Sequence, residues 1–141
     1  MPAARTVDAA LVGGIPSKPR EYLLYLPLYN GVDSLEIGVP PKASLQGHAP
    51  RSQPVVFYGT SITHGACASR PGMVHTAILG RKLDVPVVNL GFSGNGRMDP
   101  GVVDWLARVE AAAYVIDCLP NMDAAAVTAR TAPLVKSLRA A

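Results

Sequence analysis

Short apolar runs alternate with amphipathic stretches from Val55 to the end of the chain. The apolar runs predict β-strands, and the stretches between and after them have the spacing of helices. The predicted strands are Val55–Tyr58, Pro86–Leu90 and Ala113–Cys118, and the predicted helices are Met73–Leu83, Gly101–Glu110 following Pro100, and Asp123–Leu138. Strands that alternate with helices predict parallel βαβ units, so we expect an α/β fold with a parallel sheet.

The first 54 residues follow a different pattern. Residues 1–20 are rich in Ala, Gly and Pro and read as a loose lead-in. Glu21–Leu28 and Ser34–Val39 flank the turn signal Asn30-Gly31, which predicts a β-hairpin. A polar linker with His48 completes residues 21–54. We interpret residues 21–54 as the end of a β-domain and residues 55–141 as the first part of the α/β domain.

Polar turns follow each of the three predicted strands, and they contain the candidate chemistry. Gly-Thr-Ser ends with Ser61, NLGFSGNGR spans 89–97, and LPN ends with Asn121. The carboxyl ends of parallel strands meet at one edge of a sheet, where open α/β sheets bind ligands. Each turn also has a structural interpretation, because Ser, Thr and Asn commonly cap helices and glycines permit tight turns. Neither common phosphate-loop motif is present, which disfavours a phosphate site.

Composition excludes several other classes of function. The chain has 141 residues, 49% of them hydrophobic, with a net charge of +3. The basic residues are scattered rather than grouped with aromatic residues, so no nucleic acid is expected as a partner. We expect no membrane span and no metal site, since neither a long apolar run nor ligand spacing is present. No cofactor is expected, and no signal peptide is recognised, which leaves the cytoplasm as the default compartment.

Three segments together resemble the SGNH/GDSL hydrolases, a family of flavodoxin-like serine esterases. GTS resembles its first block, although Thr60 stands where Asp is usual; NLGFSGNGR resembles the glycine block and CLPNM the asparagine block. The phrases YLLYLPLYNG and YGTSITHGACASRPGM are similar to a bacterial subgroup with a β-domain before the catalytic domain. The resemblance implies Ser61 as nucleophile, with Gly94 and Asn121 in the oxyanion hole.

The resemblance also implies a small acyl ester or acylated carbohydrate as substrate. From their place in the glycine segment we expect Ser93 and Asn95 to line the rim of the substrate site and Arg97 to contact an anionic substrate group, and the resemblance implies a substrate-rim role for His64. For Arg97 the alternative is that it only braces its loop. The oligomeric state is left open.

The catalytic Asp-x-x-His block of that family has no counterpart here, and the three histidines are His48, His64 and His75. We therefore expect an N-terminal, incomplete portion of an SGNH esterase that is poorly active or inactive. Two alternatives remain open from the sequence. One is a non-catalytic module that binds a carbohydrate or ester, and the other is an active esterase that uses His64 as a surrogate base.

Overall fold

The computed structural model describes residues 6–49 and 52–140, and all regular secondary structure in these residues follows residue 54. The strands are β1 (Val55–Gly59), β2 (Val87–Gly91) and β3 (Ala113–Asp117), and the helices are α1 (Ser61–His64), α2 (His75–Leu83), α3 (Pro100–Leu106) and α4 (Ala124–Ala140). Two short 3-10 turns, Pro71–Met73 and Leu119–Asn121, lie between them. The predicted alternation of strands and helices is confirmed.

The three strands form a parallel sheet in the order β2-β1-β3. Val55 aligns with Val87 on one side and with Ala113 on the other, and Gly59 aligns with Gly91 and Asp117. After β1, the chain therefore forms β2 on one side of β1 and then crosses over to form β3 on the other side. In sheets of this type the crevice at that reversal, at the carboxyl ends of the central strands, is the usual ligand site.

The core lies on both faces of β1. Val56 and Tyr58 are fully buried and belong to a cluster with residues of α3 and α4, including Leu106 and Leu134. Side chains alternate between the faces of a strand, so Phe57 lies on the opposite side. Its ring packs edge-on against His75 of α2. Helices therefore cover both faces of the central strand, which gives three layers.

The helix ends differ slightly from the predicted ones for local reasons. Helix α2 begins at His75 rather than Met73 because Pro71–Met73 forms a separate 3-10 turn. Asp123 caps α4 as predicted, since its Oδ1 accepts from the Ala126 N–H at 2.7 Å. Pro133 lies inside α4 without ending it. In the two described ranges, no helix is both long enough and apolar enough to cross a membrane.

The predicted β-hairpin of residues 21–39 is wrong. Neither Glu21–Leu28 nor Ser34–Val39 forms a strand, and the described residues before β1 contain no regular element. An isolated two-stranded hairpin is marginal without a third strand or a packing helix. Almost all side chains in 6–49 are exposed, so the segment has no such support. The Asn30-Gly31 pair favours a turn only locally, and a hairpin also needs another element to pack against.

We predict that Leu106→Ala strongly destabilises the α/β domain. Leu106 is 1% exposed and joins α3 to the core of β1 and α4. Its truncation would lower the free energy of unfolding by about 2–5 kcal/mol, since a cavity remains in the core. Urea denaturation measures this loss. Leu83→Ala, at a leucine that is 63% exposed, is the matched control and should change stability by less than about 1 kcal/mol.

Candidate active site

Ser61 lies at the start of a single helical turn directly after the central strand. Thr60 is the N-cap of that turn, and its Oγ1 accepts from the Ile62 N–H at 3.3 Å. Thr60 is fully buried whereas Ser61 is partly exposed. Among the described residues, no group hydrogen-bonds to the Ser61 side chain or to its backbone N–H. The capping role expected of this Ser/Thr pair thus falls to Thr60, and the Ser61 hydroxyl is left available.

The turn is fixed from inside by three polar residues that the sequence pattern did not predict as part of the site. Thr63 is buried, and its hydroxyl donates to Asp117 Oδ2 at 2.8 Å. The Thr60 N–H donates to the Asp117 carbonyl at 3.2 Å. From the other neighbouring strand, the Asn89 amide donates to the Thr63 carbonyl at 2.7 Å. The sequence signal that could have indicated Asn89 and Asp117 is a polar residue inside, or at the end of, an apolar strand. Asp117 is bonded to Thr63 and not to a histidine.

The glycine segment packs directly on the end of β1. The Phe92 N–H donates to the Gly59 carbonyl at 2.9 Å. A Cβ on Gly91 would overlap the His64 backbone, and one on Gly96 would overlap the Gly59 carbonyl. Gly96 also has φ +70°, a conformation that L side chains rarely adopt. These two glycines are therefore required by close backbone packing.

Gly94 and Asn121 meet across the top of the sheet. Gly94 has φ +73° and is exposed, with no neighbour within 4 Å of an added Cβ. Its N–H has no hydrogen-bond partner among the described residues. Asn121 Nδ2 donates to the carbonyl of Asn95, next to Gly94, at 2.5 Å. An amide nitrogen has two N–H groups, so this contact leaves one of them available.

Three further predicted residues, Ser93, Asn95 and Arg97, are exposed on the same loop. The Arg97 guanidinium donates to the Gly94 carbonyl at 3.2 Å, and the Arg97 N–H donates to Asp99 Oδ2 at 3.2 Å. Of the two roles considered for Arg97, the structure thus provides contacts for bracing the loop. Ser93 and the side chain of Asn95 have no bonding partner in the described part of the chain.

None of the three histidines is hydrogen-bonded to Ser61. The His64 Nε2 bonds to the Leu28 carbonyl, and its ring stacks on Tyr29 at 4.0 Å between centroids. His75 packs against Phe57, and His48 Nδ1 lies 2.7 Å from the Ala49 carbonyl. A serine–histidine pair is therefore absent from residues 6–49 and 52–140. His64 is close to Ser61 in sequence, but its ring contacts Leu28 and Tyr29 of the N-terminal segment.

A buried tyrosine supports the glycine loop from below. The Tyr58 hydroxyl donates to Asp99 Oδ2 at 3.4 Å and accepts from the Asp99 N–H at 3.2 Å. Arg130 of α4 pairs with the same carboxylate at 3.0 Å. Burial raises the pKa of Tyr58 from 10.0 to about 12, and it also raises the pKa of the Cys118 thiol. Burial thus favours the protonated form of both groups.

No group of three or more His, Cys, Asp or Glu residues that could hold a metal occurs in the described parts of the chain. The two cysteines are free thiols, Cys67 exposed and Cys118 buried.

A surface hollow of about 780 Å³ runs along α4, lined by residues such as Val127 and Arg139. It contains none of the site residues.

The fold and the placement of these turns define a flavodoxin-like α/β protein whose polar turns follow the carboxyl ends of its three strands, at the reversal point of the sheet. The model of the GDSL-like lipase/acylhydrolase family matches residues 52–141, so this chain belongs to that family. A model for the N-terminus of SGNH-hydrolase-type esterases matches residues 2–45.

A solved crystal structure of a GDSL-like lipase from Bacteroides ovatus is similar to this chain. The two have 45% sequence identity and a TM-score of 0.76. The match covers 82% of this chain and 35% of that one, so this chain spans about a third of its length. No curated protein matches the chain. The resemblance stated from the three sequence blocks is thereby confirmed at the level of the family and the fold.

We predict that Tyr58 makes stability fall at alkaline pH. The pKa of Tyr58 in the folded state, about 12, lies above its ordinary value of 10.0. Its contribution to the free energy of unfolding is therefore complete below pH 10 and is lost as the pH rises towards 12. Urea unfolding of the wild type and of Tyr58→Phe between pH 9 and 12 measures this loss. The variant, which cannot ionise at this position, should lose less stability; parallel curves would contradict the assignment.

Proposed function

We propose that this chain provides the nucleophile and the oxyanion hole of a serine ester hydrolase. Ser61 is the nucleophile in this proposal. The backbone N–H groups of Ser61 and Gly94 and the side-chain amide of Asn121 are the oxyanion donors. The substrate class is a small acyl ester, including acyl groups carried on a carbohydrate.

The observation that carries the proposal is that three adjacent strands are each followed at one sheet edge by an available polar group: the Ser61 hydroxyl and N–H, the Gly94 N–H, and the second N–H of the Asn121 amide, none of them bonded among the described residues. β1, the β2 loop and the β3 turn each contribute one group, and the hydrogen bonds of Phe92 and Asn121 hold the loop to its neighbours. Preorganised donors that face a developing negative charge are usually the largest single contribution to acyl-transfer catalysis. Membership of a lipase/acylhydrolase family supports the same reaction class.

In the proposed reaction, Ser61 Oγ attacks the ester carbonyl carbon and the carbonyl oxygen becomes an oxyanion. Collapse breaks the bond to the alcohol, which leaves with a proton, and the acyl group stays on Ser61. Water then releases the acid. Attack by serine requires a base for the hydroxyl proton. The Asp-x-x-His pattern does not occur in these 141 residues, and none of their histidines is bonded to Ser61. We infer that full turnover requires a histidine that this sequence does not contain.

The lack of a catalytic base would make the chain a weak catalyst by itself. Removal of the base from a serine hydrolase lowers kcat by about 10⁴–10⁶, roughly 5–8 kcal/mol.

The absence of a base next to Ser61 is also the observation that favours the second candidate function. In that case the same surface binds an ester or a carbohydrate without hydrolysing it, and the exposed polar side chains of Ser93 and Asn95 suit a polar ligand.

We predict that imidazole, supplied as an external base, enables 4-nitrophenyl acetate to acetylate Ser61. The acetyl group moves to Ser61 Oγ, 4-nitrophenolate leaves, and imidazole takes the hydroxyl proton. Without a positioned histidine the release of acetate is also slow, so the acetylated protein accumulates. Peptide mass spectrometry locates the label. Ser61 should be acetylated at least about tenfold faster than Ser44, a serine exposed in the N-terminal segment.

Two variants serve as controls for this labelling. Ser61→Ala should lose the label at that peptide, whereas Ser44→Ala should be acetylated at Ser61 at the wild-type rate. Equal labelling of Ser61 and Ser44 would contradict the nucleophile assignment and favour the binding function.

We predict that Asn121→Ala slows the acetylation of Ser61 by about 10²–10³-fold, because it removes one oxyanion donor. The same mass-spectrometric time course measures this rate. Gln46→Ala removes an exposed amide from the N-terminal segment and should leave the rate unchanged. A rate in Asn121→Ala equal to that of Gln46→Ala would exclude Asn121 from the oxyanion hole.

A further inference from the structure

The N-terminal segment contacts the α/β domain at a restricted place. Within the described residues 6–49, the partly buried positions are Tyr25 and Leu28, and the remainder are exposed. Both residues contact the chain between α1 and the end of α2. The segment is therefore attached to the domain close to the turn that contains Ser61.

The first attachment involves Leu28 and Tyr29. The Leu28 carbonyl bonds to His64 Nε2, and the Tyr29 ring stacks on the His64 ring with 14° between their planes. Gly65 makes room for the Leu28 side chain, since a Cβ there would lie 2.5 Å from Leu28 Cδ1. Gly65 also ends α1 in the left-handed conformation, with φ +109°. This glycine thus serves both the helix end and the attachment.

The second attachment involves Tyr25. Its ring lies against Gly72, where an added Cβ would be 3.0 Å from Tyr25 Cδ2. The Tyr25 hydroxyl accepts from Arg81 Nη1 at 2.8 Å, and the guanidinium lies 5.3 Å from the ring centroid. The two attachments flank the loop that joins α1 to α2. They restrain that loop at both ends.

His64 is part of the turn that presents Ser61. Residues three apart on a helix lie on the same face, so His64 and Ser61 are neighbours on the surface of α1. The turn closes through the amides of His64, Gly65 and Ala66, which donate to Thr60 or Ser61 carbonyls at 2.9–3.0 Å. A single helical turn is unstable by itself and depends on packing. Thr63 holds it from inside, and the contact at His64 holds it from outside.

The protonation of His64 agrees with an anchoring role. A carbonyl can only accept, so His64 Nε2 must be the donor to Leu28. Nδ1 is buried and has no hydrogen-bond partner within residues 6–49 and 52–140. The ring is thus held by one hydrogen bond and one stacking contact, both from the N-terminal segment.

We propose that Tyr29 is a positioning residue for the Ser61 turn, and that it acts through its stacking contact with His64. The N-terminal segment is then part of the catalytic architecture and not only a connection to it. The catalytic meaning of this role rests on the proposed function of Ser61, whereas the ordering of the turn does not.

Hydrogen exchange of backbone amides, measured by NMR on the full chain, tests the proposal. In Tyr29→Ala the amides of His64, Gly65 and Ala66 should exchange about three- to tenfold faster than in the wild type. The Val103 amide, which donates to Asp99 in the remote helix α3, should change by less than about twofold. Tyr29→Phe keeps the stacked ring and should restore the wild-type rates. Tyr22→Ala is the matched control, because Tyr22 is 57% exposed in the same segment and Tyr29 is 52% exposed.

Either of two results would overturn the proposal. One is exchange in Tyr29→Ala that matches Tyr22→Ala at the three amides. The other is equal acceleration at Val103, which would indicate a loss of overall stability. Acetylation of Ser61 provides a separate readout of the proposed function. If Ser61 is not acetylated in the wild type, the proposed function fails while the exchange data still decide whether Tyr29 orders the turn.

Discussion

The close approach of three chain segments at Gly59 is the constraint on which the rest of the site depends. A Cβ at this position would lie 2.7 Å from the Asp117 carbonyl and would overlap the Thr63 hydroxyl. The Gly59 carbonyl accepts from Phe92, and Gly96 lies against it. Because the residue at the end of the central strand has no side chain, α1, the glycine loop and β3 can all pack around it. Every candidate catalytic group is attached to one of those three segments.

This packing explains why some polar residues hold the turns together whereas others are left available for a ligand. Thr60, Thr63, Asn89 and Asp117 direct their hydrogen bonds inward and hold the turns together. The Ser61 hydroxyl and the Gly94 N–H are left without partners among the described residues. Buried polar groups are normally satisfied, and here the satisfied ones support the exposed, unsatisfied ones. The contacts among buried Tyr58 and the partly exposed Asp99 and Arg130 have the same role beneath the glycine loop.

The N-terminal segment contributes to the site in a way that its own sequence pattern obscured. Its alternation and its Asn30-Gly31 pair are typical of a hairpin, but the segment forms no strand and places Tyr25, Leu28 and Tyr29 against the α/β domain instead. The same contact decides the role of His64. Its proximity to Ser61 in sequence made it a candidate base, but its Nε2 is bonded to Leu28. Contacts between residues about 36 positions apart are not encoded in local periodicity.

The sequence alone determined the parallel α/β alternation, the family, and the three blocks that contain Ser61, Gly94 and Asn121. These features depend on local information: hydrophobic period, turn residues and short motifs with fixed spacing. Tertiary structure alone decided which polar residues support the turns, that the Arg97 side chain bonds to Gly94 of its own loop, and that His64 contacts the N-terminal segment. Those outcomes depend on the β2-β1-β3 order, which brings Asn89 and Asp117 to opposite sides of one turn. Strand order is set by the packing of the whole domain, and no single segment specifies it.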